Sequence, residues 1–152
     1  LFPPSPPITS EYFLENNSTV SQVMLLFLTP LRLKEKGDLI VNLTFPLLID
    51  RLLTRINLLS YFHCGGEGKE DYQGLLNQAE KVNVGKKSLR WHDWERYSQR
   101  QDTRMKLGGL LGSITFEGEI TPFLPYLRVG QYIHVGQGTS FGLGRYEIYG
   151  VS

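Results

Sequence analysis

The stretch Leu110-Leu111-Gly112-Ser113-Ile114-Thr115-Phe116-Glu117-Gly118-Glu119-Ile120-Thr121-Pro122 decides the fold. Leu110, Gly112, Ile114, Phe116, Gly118 and Ile120 alternate with Ser113, Thr115, Glu117 and Glu119, the clearest period of two in the chain and the mark of a strand with one buried face. Thr121-Pro122 then has the form of an N-cap followed by proline at the first helical position. Phe123, Leu124, Leu127, Tyr132 and Ile133 supply an apolar helical face up to about His134. Gly130 interrupts that helix with a poor helix former.

Working outward, Leu89 to Ser98 carries two tryptophans, a tyrosine and alternating charges, so it reads as a strand with one wet face. It should pair with the Leu110 strand as a hairpin across a basic, flexible loop. Val20 to Leu28 is a nearly continuous apolar run bounded by Asn16-Asn17-Ser18 and Thr29-Pro30, as expected of a strand covered on both faces. Phe45, Leu48, Ile49, Leu52, Ile56 and Leu59 recur at helical spacing through Phe62, and Gly65-Gly66 can end that helix. Glu67 to Gly85 is polar; Tyr72, Leu75, Leu76 and Ala79 allow at most a short extra helix. Beyond the glycine-rich run near the end, Tyr146 and Ile148 give a last short strand.

The order strand, helix, strand, strand, helix, strand defines an α+β, ferredoxin-like βαββαβ domain: a four-stranded antiparallel sheet with two helices on one face. Because the first strand is apolar on both faces, a partner domain, the N-terminal arm or another chain should cover part of the second face.

A chain of 152 residues suits one such domain with a real hydrophobic core. Its 41% hydrophobic and 20% charged residues place it among globular proteins rather than disordered ones. A single cysteine, Cys64, excludes a disulfide framework and every multi-cysteine zinc motif, and the histidines are not at metal-ligand spacing. No apolar run reaches the roughly 18 residues of a membrane span, so a cytoplasmic location and no membrane partner are expected. Four of the eight prolines fall within the first seven residues. Residues 1–18 therefore read as a proline-rich linker or arm and residues 19–152 as the domain, with a propeptide or an expression scar as the alternative origin of the arm.

Net charge is only +1, yet Lys81 to Lys106 holds eight of the 16 basic residues against three acidic ones. That local excess suits a polyanion. Within it, Arg96, Tyr97, Arg100 and Arg104 combine guanidinium groups, which match phosphate bidentately, with an aromatic platform. The other reading of such charges is a solvated strand face. Trp91 and Trp94 read as core or domain-interface anchors.

The run His134-Val135-Gly136-Gln137-Gly138-Thr139-Ser140-Phe141-Gly142-Leu143-Gly144-Arg145-Tyr146 packs four glycines and two hydroxyls into nine residues. Gly136, Gly138, Gly142 and Gly144 can bring backbone N–H groups close to a phosphate, Thr139 and Ser140 add donors, and Arg145 adds charge. A mobile connector before an edge strand is the competing reading. The run lacks the lysine of a Walker loop, and it follows a helix and precedes the last strand, where a dinucleotide-binding fingerprint does not fall.

This same run, continued through Glu147-Ile148, resembles the C-terminal signature of the CRISPR-associated endoribonuclease family that processes precursor crRNA, within the RAMP superfamily. Phe27-Leu28-Thr29-Pro30-Leu31-Arg32-Leu33, Trp91 to Gln101 and Gly108 to Phe116 resemble that family in order and spacing. The resemblance spans about residues 20 to 150. It implies a C-terminal domain holding CRISPR repeat RNA or crRNA, with the glycine-rich loop near the phosphate backbone. It further implies an N-terminal ferredoxin-like partner domain outside this chain, other Cas proteins as possible partners, and no cofactor. Such enzymes cleave without metal, a 2′-hydroxyl attacking the adjacent phosphate to leave a 2′,3′-cyclic phosphate. A histidine commonly serves as acid or base, often from the N-terminal domain.

An imidazole titrating near pH 6.5 fits that proton transfer. The candidates here are His134, beside the glycine-rich loop, and His63, near the first helix end; for each the alternative is a histidine bonding a free helix-end carbonyl. His92 suits a surface or stacking role. Three functions remain open on sequence: a repeat-processing endoribonuclease, a non-catalytic RAMP subunit that binds or scaffolds crRNA, and a small-molecule-binding regulator of the same fold.

Overall fold

The structure, a computed structural model, describes residues 19–64, 72–93, 95–98, 103–106 and 108–152, with side chains over 19–59, 72–93 and 108–152. Strand β1 (Gln22–Leu31) lies inside the main sheet, paired antiparallel with β7 (Gly109–Glu117) on one side and β8 (Tyr146–Val151) on the other. Strand β4 (Asn83–His92) completes the sheet beyond β7, giving the order β4-β7-β1-β8. Helices α1 (Phe45–Cys64) and α3 (Leu124–Ile133) fill the two crossovers. This is the expected ferredoxin-like arrangement with three insertions: the hairpin β2 (Lys34–Glu35) and β3 (Asp38–Leu39), the short helix α2 (Gln73–Ala79), and the ladder β5 (Glu95–Ser98) and β6 (Thr103–Lys106).

The core lies between sheet and helices. Val23, Leu25 and Phe27 of β1 and Ile114 and Phe116 of β7 pack on Leu48, Ile49 and Leu52 of α1 and Leu127 of α3, all essentially buried. Phe45 sits edge-on to both Phe116 and Phe123, with centroids 4.8 and 5.0 Å apart, so one ring at the start of α1 ties the sheet to the turn that leads into α3. On the other face of β1, Met24 and Leu26 are half-buried and Leu28 is 40% exposed. The apolar second face of this strand is therefore incompletely covered.

Four expectations change. The second sheet strand begins at Asn83 rather than Leu89, and it stops at His92. Being an edge strand exposed along almost its whole length, β4 tolerates Lys86, Lys87 and Ser88 where an inner strand would need apolar residues. Glu95 to Ser98 pairs with Thr103–Lys106 instead of with β7, so part of the expected loop is itself a ladder. Thr121 does not cap a helix: its hydroxyl accepts the backbone N–H of Val20 at 2.8 Å, while Thr121–Phe123 forms a 3-10 turn leading into α3. Of the two readings of Trp91, the core anchor falls, since it is 37% exposed and donates its indole N–H to Asp93 Oδ1 at 2.9 Å, and an interface role is left. Trp94 and the helix stop at Gly65-Gly66 lie outside the described residues.

Gly130 has a packing reason. A Cβ there would stand 2.0 Å from the Tyr146 hydroxyl, which is buried and donates to the Leu127 carbonyl at 2.7 Å. The small residue lets β8 lock onto α3. Burial without a compensating cation pushes the Tyr146 phenol well above its usual range, so it stays a neutral donor. Among the described residues no helix is long and apolar enough to cross a membrane, and no His, Cys, Asp and Glu side chains gather as a metal site.

Candidate functional site

The glycine-rich loop is a built structure held by the end of β1. Gln137 N–H donates to Arg32 O at 2.8 Å and Gly144 N–H to Pro30 O at 3.0 Å. The Thr29 hydroxyl donates to Gly142 O at 2.7 Å and accepts the Arg145 N–H at 2.9 Å, so a single side chain joins both ends of the turn. Gly144 is essential to that approach: at φ 74°, a Cβ would lie 1.8 Å from the Val135 carbonyl oxygen. Within the loop, Phe141 and Leu143 donate to Gly138 O and Gly142 to Thr139 O.

These bonds correct one expectation. The amides of residues 137 and 141–145 are committed to holding the loop, so they do not form a run of free donors around an anion. Gly144 and Gly136 are places of close backbone approach, to the Val135 and Arg32 carbonyls, whereas Gly142 turns the chain at φ 89° with open space around it. The loop is also not a slack tether. It presents outward Gln137, Ser140, Phe141 and Arg145, all exposed, with Gly138 and Thr139 half-buried beside them.

His134 closes α3 at φ 66° and ψ 173°, a backbone region essentially reserved for glycine, while its N–H still reaches Gly130 O at 2.9 Å. A strained non-glycine residue persists where its surroundings over-determine it, and such residues gather at functional sites. Burial holds the His134 imidazole below its ordinary range, Arg145 and Arg55 depress it further, and a backbone hydrogen bond at Leu143 opposes them. It is thus a neutral imidazole near pH 7 inside a cationic frame. Arg55, reaching across from α1, donates Nε–H to Ile133 O at 2.8 Å.

Two clefts flank this group. One, about 610 Å³, runs between α1 and the loop, with Lys34, Arg51 and Arg55 above an apolar floor that includes Leu33 and Leu58. Arg51 is tied to Asp50 and to the Lys34 carbonyl. The other, about 570 Å³, lies between the end of α3 and β8 and is lined in part by Tyr132, His134 and Arg145. The arrangement offers positive charge and one titratable imidazole at the mouth of a rigid loop, which suits a phosphodiester.

The sequence candidates separate into two regions. His134, Arg145 and the loop residues come together. Tyr97 stands opposite Arg104 and Arg96 opposite Met105 in the β5–β6 ladder; Arg100 lies outside the described residues, as does the side chain of His63 on α1. Exposed Lys86, Lys87 and Arg90 of β4 extend the basic edge leading to that ladder. Arg55 and Thr29 were not foreseen. Arg55 reads as part of a polar helix face and Thr29 as a strand terminator, and only the fold brings them to the loop.

The fold is that of a ferredoxin-like α+β domain, with Arg145 and Arg55 set near His134 beside the glycine-rich loop. Residues 25–146 match the family model of the CRISPR-associated endoribonuclease Cas6, and the chain belongs to that family. No curated protein matches the sequence. Among solved structures, Thermus thermophilus Cas6 superposes with a TM-score of 0.69 at 19% identity, covering 93% of this chain and 58% of that one. A Cas6 product complex gives 0.65 at 20% identity, with 96% and 60% covered. A partial Cas6-RT-Cas1–Cas2 complex gives 0.60 at 21% identity, with 90% and 23% covered. The chain thus spans about three fifths of the length of the Cas6 structures it matches.

Proposed function

We propose that this chain is the C-terminal, RNA-holding domain of an endoribonuclease that cuts CRISPR repeat RNA, with residues 1–18 leading from an N-terminal domain that completes the site. The convergence of His134, Arg145 and Arg55 at the loop carries this reading. Cleavage by a neighbouring 2′-hydroxyl requires a group to take the hydroxyl proton, a group to protonate the leaving 5′-oxygen, and positive charge around the pentacoordinate phosphorus. His134, neutral near pH 7, suits proton uptake; Arg145 and Arg55 suit the phosphate oxygens. No step in this scheme needs a metal. The exposed Lys86, Lys87 and Arg90 of β4, together with the basic residues in the sequence of β5 and β6, extend the contact along the RNA, and the other Cas proteins assembled with one structural relative suggest a similar class of partner.

The test is incubation of the protein, alone and with its full-length form, with its cognate repeat RNA in excess chelator. Cleavage to a 2′,3′-cyclic phosphate, reduced at least 100-fold in full-length His134→Ala, is the expected result. Salt-sensitive binding by the full-length protein with no cleavage would leave a crRNA-holding subunit in place of the enzyme, and no binding would remove both readings.

A further inference from the structure

We propose that the cleft between the last turn of α3 and the start of β8 is a nucleobase subsite, in which Tyr132 stacks on one unpaired base whose phosphate lies at Arg145. This deepens the RNA-binding reading and rests on it. Tyr132 is 66% exposed, more than any other large hydrophobic side chain among the described residues, although the inner face of its own helix is fully occupied by Leu124, Leu127 and Gly130. It adds almost nothing to the core, so a purely structural role gives no reason for an aromatic ring there. Its ring instead borders a half-open cleft of about 570 Å³, large enough for a nucleotide, that also touches His134 and Arg145.

The cleft floor is fixed. Gln131 Oε1 accepts the Ile148 N–H at 2.8 Å, and Tyr146 is anchored through Leu127, so the α3–β8 distance is set without a ligand. A phosphate held at Arg145 on one side and a π-face on the other are the two elements single-stranded RNA recognition uses. Because every base has a π-face, the subsite accepts any unpaired nucleotide; Glu147, the one carboxylate lining the cleft, disfavours a second phosphate there. The occupant is therefore one flipped or unpaired nucleotide of the RNA strand.

The experiment measures affinity of the protein for the labelled repeat RNA and for the same strand carrying single abasic sites in its unpaired positions. Tyr132→Ala should weaken binding to intact RNA about fivefold or more, while Tyr132→Phe and Tyr132→Trp stay within about twofold. At one position the abasic strand should bind wild type as weakly as Tyr132→Ala binds intact RNA, with no further loss on combining the two. Equal affinity of Tyr132→Ala and wild type, with Arg145→Gln still weakened, overturns the subsite and leaves the RNA-binding reading standing. Absence of any salt-sensitive RNA binding by wild type overturns both. Since Tyr132 is exposed, an unchanged melting temperature in Tyr132→Ala separates lost stacking from lost folding.

Discussion

Replacing His134 by glycine should leave the domain more stable than replacing it by alanine, the reverse of the usual order. At φ 66° and ψ 173° the His134 backbone occupies a region that costs a residue with a Cβ roughly 1–3 kcal/mol. Both substitutions remove the imidazole and its hydrogen bond at Leu143, so those losses cancel in the comparison. Glycine relieves the strain and gives back about 0.5–1 kcal/mol through the greater freedom of its unfolded chain. The balance favours His134→Gly over His134→Ala by up to about 2.5 kcal/mol, with about 1 kcal/mol at mid-range, or a few degrees in melting temperature at this chain length. Urea unfolding followed by circular dichroism at pH 8, where the wild-type imidazole is neutral, measures it directly. If the alanine variant equals or exceeds the glycine variant in stability, the strain assigned to His134 is absent, and so is the structural sign that this position is held for function.

The depressed His134 pKa gives a second expectation: the folded state binds fewer protons than the unfolded chain, so its contribution is full above about pH 6.5 and lost as pH falls through the folded value. Wild type should therefore lose stability on acidification more steeply than His134→Gly, as urea midpoints between pH 8 and 5 can check. Gly130→Ala should destabilise by roughly 2–5 kcal/mol, since the new methyl displaces the buried Tyr146 hydroxyl from Leu127. Gly74→Ala, on α2 with open space around it, should instead stabilise by about 0.5–1 kcal/mol in the same thermal melts. Thr29→Val leaves the Gly142 carbonyl and the Arg145 amide without their shared partner and should lower RNA affinity severalfold, whereas Thr29→Ser retains it; amide hydrogen exchange at Arg145 should rise in the valine variant alone.

Strand β7 was legible because its buried face imposes a period of two, β1 because it is a nearly continuous apolar run between turn residues, and α1 and α3 because their apolar residues recur at helical spacing. Strand β4 was half legible: at an edge, Asn83 to Ser88 need bury nothing, so no pattern marks them. Glu95 to Ser98 was read as strand but assigned to the main sheet, and its partner Thr103–Lys106 fell in a charged stretch read as a loop. At the site, the glycines correctly marked a tight turn, but sequence cannot say which way its amides point. The carbonyls of Pro30 and Arg32 and the hydroxyl of Thr29, over a hundred residues away, claim them instead. Arg55 joined His134 and Arg145 only through the packing of α1 beside α3. Thr121-Pro122 misled in detail because a hydroxyl that could cap a helix found the Val20 amide nearer.

The most direct measurement is the salt dependence of repeat-RNA affinity for wild type, Arg145→Gln and Arg55→Gln. Each substitution should weaken binding and flatten the slope of log affinity against log salt by roughly 0.7 if its guanidinium neutralises one phosphate of a single strand. Wild-type slopes in both variants, with the RNA still bound, would place the strand elsewhere on the domain and contradict a phosphate site at the glycine-rich loop.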